Sequence, residues 1–180
     1  MSLLNITKLN ETVREKKVTR PDLVFNQVRE DIIKALNPEG TQEEGRDGMD
    51  ASFCSFDFNN LKLEYACANN PIWVLRNDTL IESKFDKMPV GMYGGPKTDF
   101  TLHSIDLQKG DTIYLFTDGY ADQFGGPKGK KFKYAQLKET ILSIHKSPLK
   151  EQQQILHKVI ESWKGKLDQV DDILVVGIRI

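Results

Sequence analysis

The chain has little that would tie it to a special environment. Of 180 residues only two are cysteine and three are histidine. Cys54 and Cys67 fall in consecutive strand-like stretches without metal-ligand spacing, so buried free thiols of a reducing compartment are expected in place of a disulfide or a zinc site. His103, His145 and His157 are scattered and form no ligand pattern, which points to surface or packing roles. Neither charge sign is in excess, with 25 basic against 26 acidic residues and a formal charge of -1. No field therefore exists to gather nucleic acid over the whole surface, and nucleic acid is disfavoured as the main partner. No apolar run approaches the roughly 20 residues that cross a bilayer, and the N-terminus has no charged-then-apolar signal pattern. A soluble, cytoplasmic domain without direct membrane insertion is expected.

What is present is ordinary, 39% hydrophobic and 28% charged residues, a composition that suits one folded domain over residues 1–180. Leu3, Ile6, Leu9 and Val13 recur at helical spacing. Thr19 and Asp22 resemble a capping box that opens a second helix with Val24, Val28, Ile32 and Leu36 on one face, stopped by Asn37-Pro38. Glu39 to Asp47 contains no apolar residue and reads as a surface loop. From Asp50 the period shortens. Ala51 to Phe58 and Leu61 to Ala68 flank the hairpin signal Asn59-Asn60, which sets Cys54 opposite Tyr65. Further strands are predicted at Ile72 to Arg76, Thr79 to Ser83, Phe100 to Leu107 and Thr112 to Thr117, in an antiparallel meander. Helices return at Tyr134 to His145 and Pro148 to Trp163, with Gly165 as a stop. Trp73 and Trp163 read as core or interface anchors. The chain closes on Ile173 to Ile180, apolar and β-branched, expected to be central in a sheet. Helices, then strands, then helices and a strand imply an α+β layered domain, not alternating βαβ units.

The chemistry gathers where two strands end. Asp118 directly follows the strand ending at Thr117, and Asp171 and Asp172 directly precede the strand starting at Ile173. If those strands pair antiparallel, the acids share one rim of the sheet. Gly119 would let the backbone turn sharply beside Asp118. Carboxylates clustered without neighbouring cations repel unless they hold a hard cation, and oxygen donors suit Mg²⁺ or Mn²⁺. The plainer alternative is a turn at Asp118-Gly119 and a strand cap at Asp171-Asp172.

The run Gly110-Asp111-Thr112-Ile113-Tyr114-Leu115-Phe116-Thr117-Asp118-Gly119 resembles the metal-binding strand of the type 2C (PPM) metal-dependent serine/threonine phosphatases, in the bacterial branch named for sporulation stage II protein E. Val170 to Arg179 resembles that family's terminal motif, Asp47 to Ala51 its entry to the first hairpin strand, Ala68 to Pro71 its inter-strand turn, and Tyr120 to Lys131 its flap-like stretch. The resemblance implies an α-β-β-α sandwich of antiparallel sheets flanked by helices, with two Mn²⁺ or Mg²⁺ ions in the complete domain. It implies Asp118 and Asp171 as catalytic metal ligands, with Gly119 and Asp172 beside them and Asp47 and Asp50 as secondary candidates. Lys128 and Lys130 are substrate-binding candidates, because lysines on a flexible glycine-rich stretch suit an anion.

The implied substrate is a phosphorylated regulatory protein, and the implied partner within a parent chain is an upstream sensor, which could tether the parent to a membrane. The family's Asp-x-x-Gly-His-Gly motif, carried by its first two strands, is not found in the chain. Met1-Ser2-Leu3-Leu4 looks like the start of the helix that follows it, so a domain lacking its first strands is expected, weakly active or inactive alone. A sheet edge bared in that way invites a second chain, and a homodimer is one expectation. A non-catalytic, phosphatase-like binding or regulatory module is the alternative reading.

Overall fold

A computed structural model describes residues 3–36, 48–95 and 98–180. In chain order the elements are α1 (Leu3–Asn10), a π-helical turn (Glu11–Glu15), α2 (Pro21–Leu36), β1 (Gly48–Met49), β2 (Ala51–Asp57), β3 (Lys62–Ala68), β4 (Trp73–Arg76), β5 (Thr79–Glu82) and β6 (Val90–Gly91). They continue with β7 (His103–Asp106), β8 (Thr112–Phe116), α3 (Gly119–Asp122), β9 (Phe124–Gly125), β10 (Lys130–Lys131), α4 (Lys133–Ile144), α5 (Leu149–Lys164) and β11 (Val175–Arg179). This is an α+β fold of antiparallel sheets and helices. The predicted loop of Glu39 to Asp47 lies outside the described residues.

The chain divides into two compact units. The first spans residues 1–71 and 84–107 and is built on the sheet β2-β3-β7 and the short ladder β1-β6. The apolar stripe of α2 explains its core. Val24, Phe25, Val28 and Ile32 are buried against Met49, Ala66, Ala68, Met88, Val90 and Phe100, the helical repeat meeting alternate strand residues. Cys54 pairs with Tyr65 as the hairpin register requires, and both cysteines are free thiols. Burial pushes the Cys54 thiol up to about 12, with Cys67 adding to it, so it stays protonated and unreactive at neutral pH. The helix start differs from expectation. α2 begins at Pro21, where a fixed φ suits the first turn, and the Asp22 carboxylate is held by the Arg20 guanidinium at 2.8 Å.

The second unit, residues 72–83 and 108–180, carries the sheet β11-β8-β4-β5. The strands expected to form a single meander are thus dealt into separate sheets, because β4 pairs with β8 across the sequence as well as with β5 beside it. Trp73, Leu75, Tyr114 and Phe116 face Leu137, Ile141 and Ile144 of α4 and Leu156 and Ile160 of α5 in one apolar cluster. Two buried hydroxyls fix α5. Tyr114 donates to Gln152 Oε1 at 2.7 Å and Tyr120 to the Leu156 carbonyl at 2.8 Å. The last strand is not central. Among the described residues β11 is the edge of its sheet, and Leu174 and Val176 remain 55% and 39% exposed. An apolar β-branched run reports a preference for burial, not the presence of a cover.

Arg76 on β4 grips the buried Asp111 through two bonds, Nε to Oδ1 at 2.9 Å and Nη2 to Oδ2 at 2.6 Å, and the Gln108 N–H adds a third at 2.9 Å. Burial alone would raise the Asp111 carboxyl, but the guanidinium and the N–H outweigh it and hold it below the usual range. A carboxyl depressed by folding contributes stability that is complete above its unfolded value near about 4 and is lost as the pH falls through the lower folded value. Asp111→Asn should therefore cost about 2–3 kcal/mol at pH 7, by removal of one partner from a largely buried pair. In urea unfolding, the gap between variant and parent should shrink in acid.

Candidate functional site

The site is built where β8 and β11 end. Their antiparallel register places Val175 opposite Phe116 and runs on to Arg179 opposite Thr112, so the residue after β8 and those before β11 reach the same rim, as the spacing predicts. Beyond the ladder, Thr117 closes the pair twice. Its N–H donates to the Leu174 carbonyl at 3.0 Å, while its hydroxyl donates to the Asp172 carbonyl at 2.7 Å and accepts from the Leu174 N–H at 3.0 Å. That role of Thr117 escapes a reading focused on the acids. Its only sequence signal is a hydroxyl at the last position before Asp118.

Gly119 serves the rim for a different reason than a sharp turn. It is the first residue of α3, and a β-carbon there would strike the Asp172 carbonyl oxygen and stand 2.9 Å from the Asp172 carbonyl carbon and 3.3 Å from that of Asp171. The backbone after Asp118 therefore lies directly against the backbone of Asp171 and Asp172. All three acids are exposed. Asp171 Oδ1 accepts the Asp172 N–H at 2.7 Å, and the Asp171 carbonyl accepts from Gln169 Nε2 at 2.7 Å.

The structure brings these four residues together. Asp50, in the first unit, accepts from Asn69 Nδ2 at 2.8 Å, a turn-flanking arrangement. Asn69 itself takes a left-handed φ of 55° and donates its N–H to the Asp86 carbonyl. Asp47 lies outside the described residues. Lys128 and Lys130 are exposed on the flap formed by β9 and β10, whose register pairs Lys130 with Gly125 and Lys131 with Phe124. Lys131 pairs with Asp122 at 2.8 Å.

Histidines contribute packing and structure: His103 stacks on Tyr65 with centroids 5.2 Å apart, and His145 is bonded to Asp78 and the Leu142 carbonyl, each at 2.6 Å. Among the described residues no group of three His, Cys, Asp or Glu side chains is placed to hold a metal ion. The donor chemistry of the rim, hard carboxylate oxygens, is of the kind that divalent cations take.

The sequence model of the stage II sporulation protein E (SpoIIE) family matches residues 4–180. No curated protein sequence matches the chain. Among solved structures, the chain is similar to the SiaA-PP2C domain of Pseudomonas aeruginosa, with a TM-score of 0.85 and 22% identity over 99% of this chain and 68% of that one. It is similar to the manganese-presoaked phosphatase domain of the cell fate determinant SpoIIE from Bacillus subtilis, at 0.59 and 16% over 100% and 74%. It is also similar to the PPM Ser-Thr phosphatase MsPP from Mycobacterium smegmatis in complex with cacodylate, at 0.60 and 12% over 98% and 80%. At such identities these likenesses show the fold, that of PP2C phosphatase domains.

Proposed function

We propose, from the premise that the chain belongs to the stage II sporulation protein E family, that residues 1–180 form the C-terminal portion of one metal-dependent protein phosphatase domain. Its reaction is hydrolysis of phosphoserine or phosphothreonine in a regulatory protein. The observation that carries the reading is the shared rim, with Asp118 at the end of β8 set beside Asp171 and Asp172 before β11, backbone against backbone at Gly119. Asp118 and Asp171, with Gly119 and Asp172 beside them, would supply part of the donor set for Mn²⁺ or Mg²⁺; the manganese presoak of the Bacillus relative supports that choice. A divalent ion bound there supplies Lewis acidity, lowering the pKa of a water and neutralising phosphate charge.

The chain's own residues do the rest. Thr117 fixes the separation of the two acid-bearing segments, Asp172 stands next to Asp171 where it can orient a water, and Lys128 and Lys130 offer cations to a phosphorylated polypeptide. A sensor joined to the domain would set the activity. Among the described residues no helix is long and apolar enough to cross a membrane, and a cytoplasmic setting suits a phosphoprotein substrate.

One observation favours the second reading, a phosphatase-like module that binds without turnover. The rim holds only a partial donor set among the described residues. A titration separates the two without an activity assay. Mn²⁺ added to the isotopically labelled chain should broaden the amide signals of Thr117 to Gly119 and Asp171 to Ile173 before others, and Asp118→Asn should remove that preference. Broadening no stronger at the rim than around the exposed Asp57 would sink the metal assignment.

A further inference from the structure

We propose that Gln123 is a positioning residue that couples the β9–β10 flap to the loop bearing Asp171 and Asp172, so that seating the flap and placing the acids are one event. The inference rests on the phosphatase reading above and deepens it. Gln123 follows α3 and is fully buried. A buried amide is costly unless its groups are bonded; Gln123 leaves its Oε1 without a hydrogen-bond partner but spends its side-chain donors on two carbonyls. Nε2 donates to Phe124 O at 3.0 Å, at the start of the flap, and to Asp168 O at 2.9 Å, in the loop between α5 and β11. Its backbone carbonyl accepts from Trp163 Nε1 at 3.1 Å, at the end of α5, and from the Phe132 N–H at 2.9 Å, where the flap returns.

The flap is itself laid on α5. The Gly126 N–H donates to the Trp163 carbonyl at 2.7 Å. A β-carbon on Gly125 would stand 2.5 Å from the Trp163 carbonyl carbon, and one on Gly126 would stand 2.7 Å from the indole ring. From Trp163 the chain leaves the helix through Gly165, at φ 59°, and enters the loop that presents the acids.

The segment 117–123, which carries Asp118, thus holds that loop at two points. Thr117 takes Asp172 at one end and Gln123 takes Asp168 at the other. An apolar side chain would fill the same core space and hold neither carbonyl. A phosphorylated partner that lifts the flap through Lys128 and Lys130 pulls on Gln123, and through it on the placement of Asp171 and Asp172.

Hydrogen exchange of the metal-free chain tests the coupling independently of the metal assignment, and the Mn²⁺ titration described above tests that assignment independently of the coupling. Gln123→Met keeps the volume and removes both side-chain donors. It should speed exchange about tenfold or more in the peptides covering 165–173 and 124–132 together, while the β8 amides of Ile113 to Phe116 keep their protection. An unchanged 165–173 peptide, or a change confined to the flap, overturns the proposal. Should Gln123→Met fail to fold, Gly126→Ala disturbs the same path from the flap side. The 165–173 peptide must then quicken as well, and an unchanged rate there overturns the coupling equally.

Discussion

Gly119→Ala is expected to destabilise the chain by about 2 kcal/mol, although alanine is the better helix former. The two effects oppose each other and their sizes decide the sign. Gly119 opens α3, so alanine would gain up to about 1 kcal/mol of helix propensity. Against that, the added methyl meets the carbonyl groups of Asp172 and Asp171. These are backbone atoms that cannot rotate aside, and overpacking of this kind costs about 1–3 kcal/mol and sometimes more. Relief requires the 118–119 turn and the 171–172 loop to separate. The first bonds to lengthen are those of the Thr117 hydroxyl to the Asp172 carbonyl and the Leu174 N–H. Urea unfolding should show a lower midpoint with an unchanged slope. A Gly119→Ala chain as stable as the parent would mean that the rim opens freely, and Asp118 would lose its claim to act with Asp171 and Asp172. Gly129→Ala is the control. Nothing lies near its β-carbon, and only its φ of 56° is strained, so a cost of about 1 kcal/mol is expected there.

The rim was legible in the sequence because its cause is local. Asp118 abuts one strand and Asp171-Asp172 the other, and antiparallel pairing of two long apolar strands leaves only one way for their ends to meet. The helices were legible for a similar reason, since the stripes of α2, α4 and α5 are periodic and each found a sheet. The same locality explains the misses. Which strand neighbours which is settled by contacts far apart in sequence, so β4 could not be assigned to β8, nor β11 to an edge, from composition. Gly119 serves close approach and not a sharp turn, and a glycine needed for the one looks the same in sequence as one needed for the other. Gln123 carried no signal at all. A glutamine beside Asp122 reads as surface, and only its burial and its two carbonyl partners show otherwise.

The largest functional effect should come from Asp118→Asn and Asp171→Asn in a longer chain that includes an Asp-x-x-Gly-His-Gly segment. Each substitution keeps the shape of the side chain and removes a charged oxygen donor, so folding should be nearly unaffected while metal-dependent hydrolysis of a phosphoserine protein falls steeply. Residues that merely orient metal ligands cost about 10–100-fold when replaced; direct ligands should cost at least the upper end of that range. Lys128→Ala and Lys130→Ala act on a different part of the cycle. Both are exposed on the flap, and loss of a cation that grips the substrate should raise KM with kcat nearly unchanged. Asp171→Asn is the more exacting test of the pair. Its Oδ1 already accepts the Asp172 N–H at 2.7 Å, so a purely structural role predicts a local change in the 171–172 turn and little change in manganese dependence. A rightward shift of the manganese concentration for half-maximal rate, alongside the fall in rate, belongs to a ligand alone. Unchanged activity in both aspartate variants would remove the metal site from this rim, and full activity of the 180-residue chain by itself would show that its partial donor set suffices.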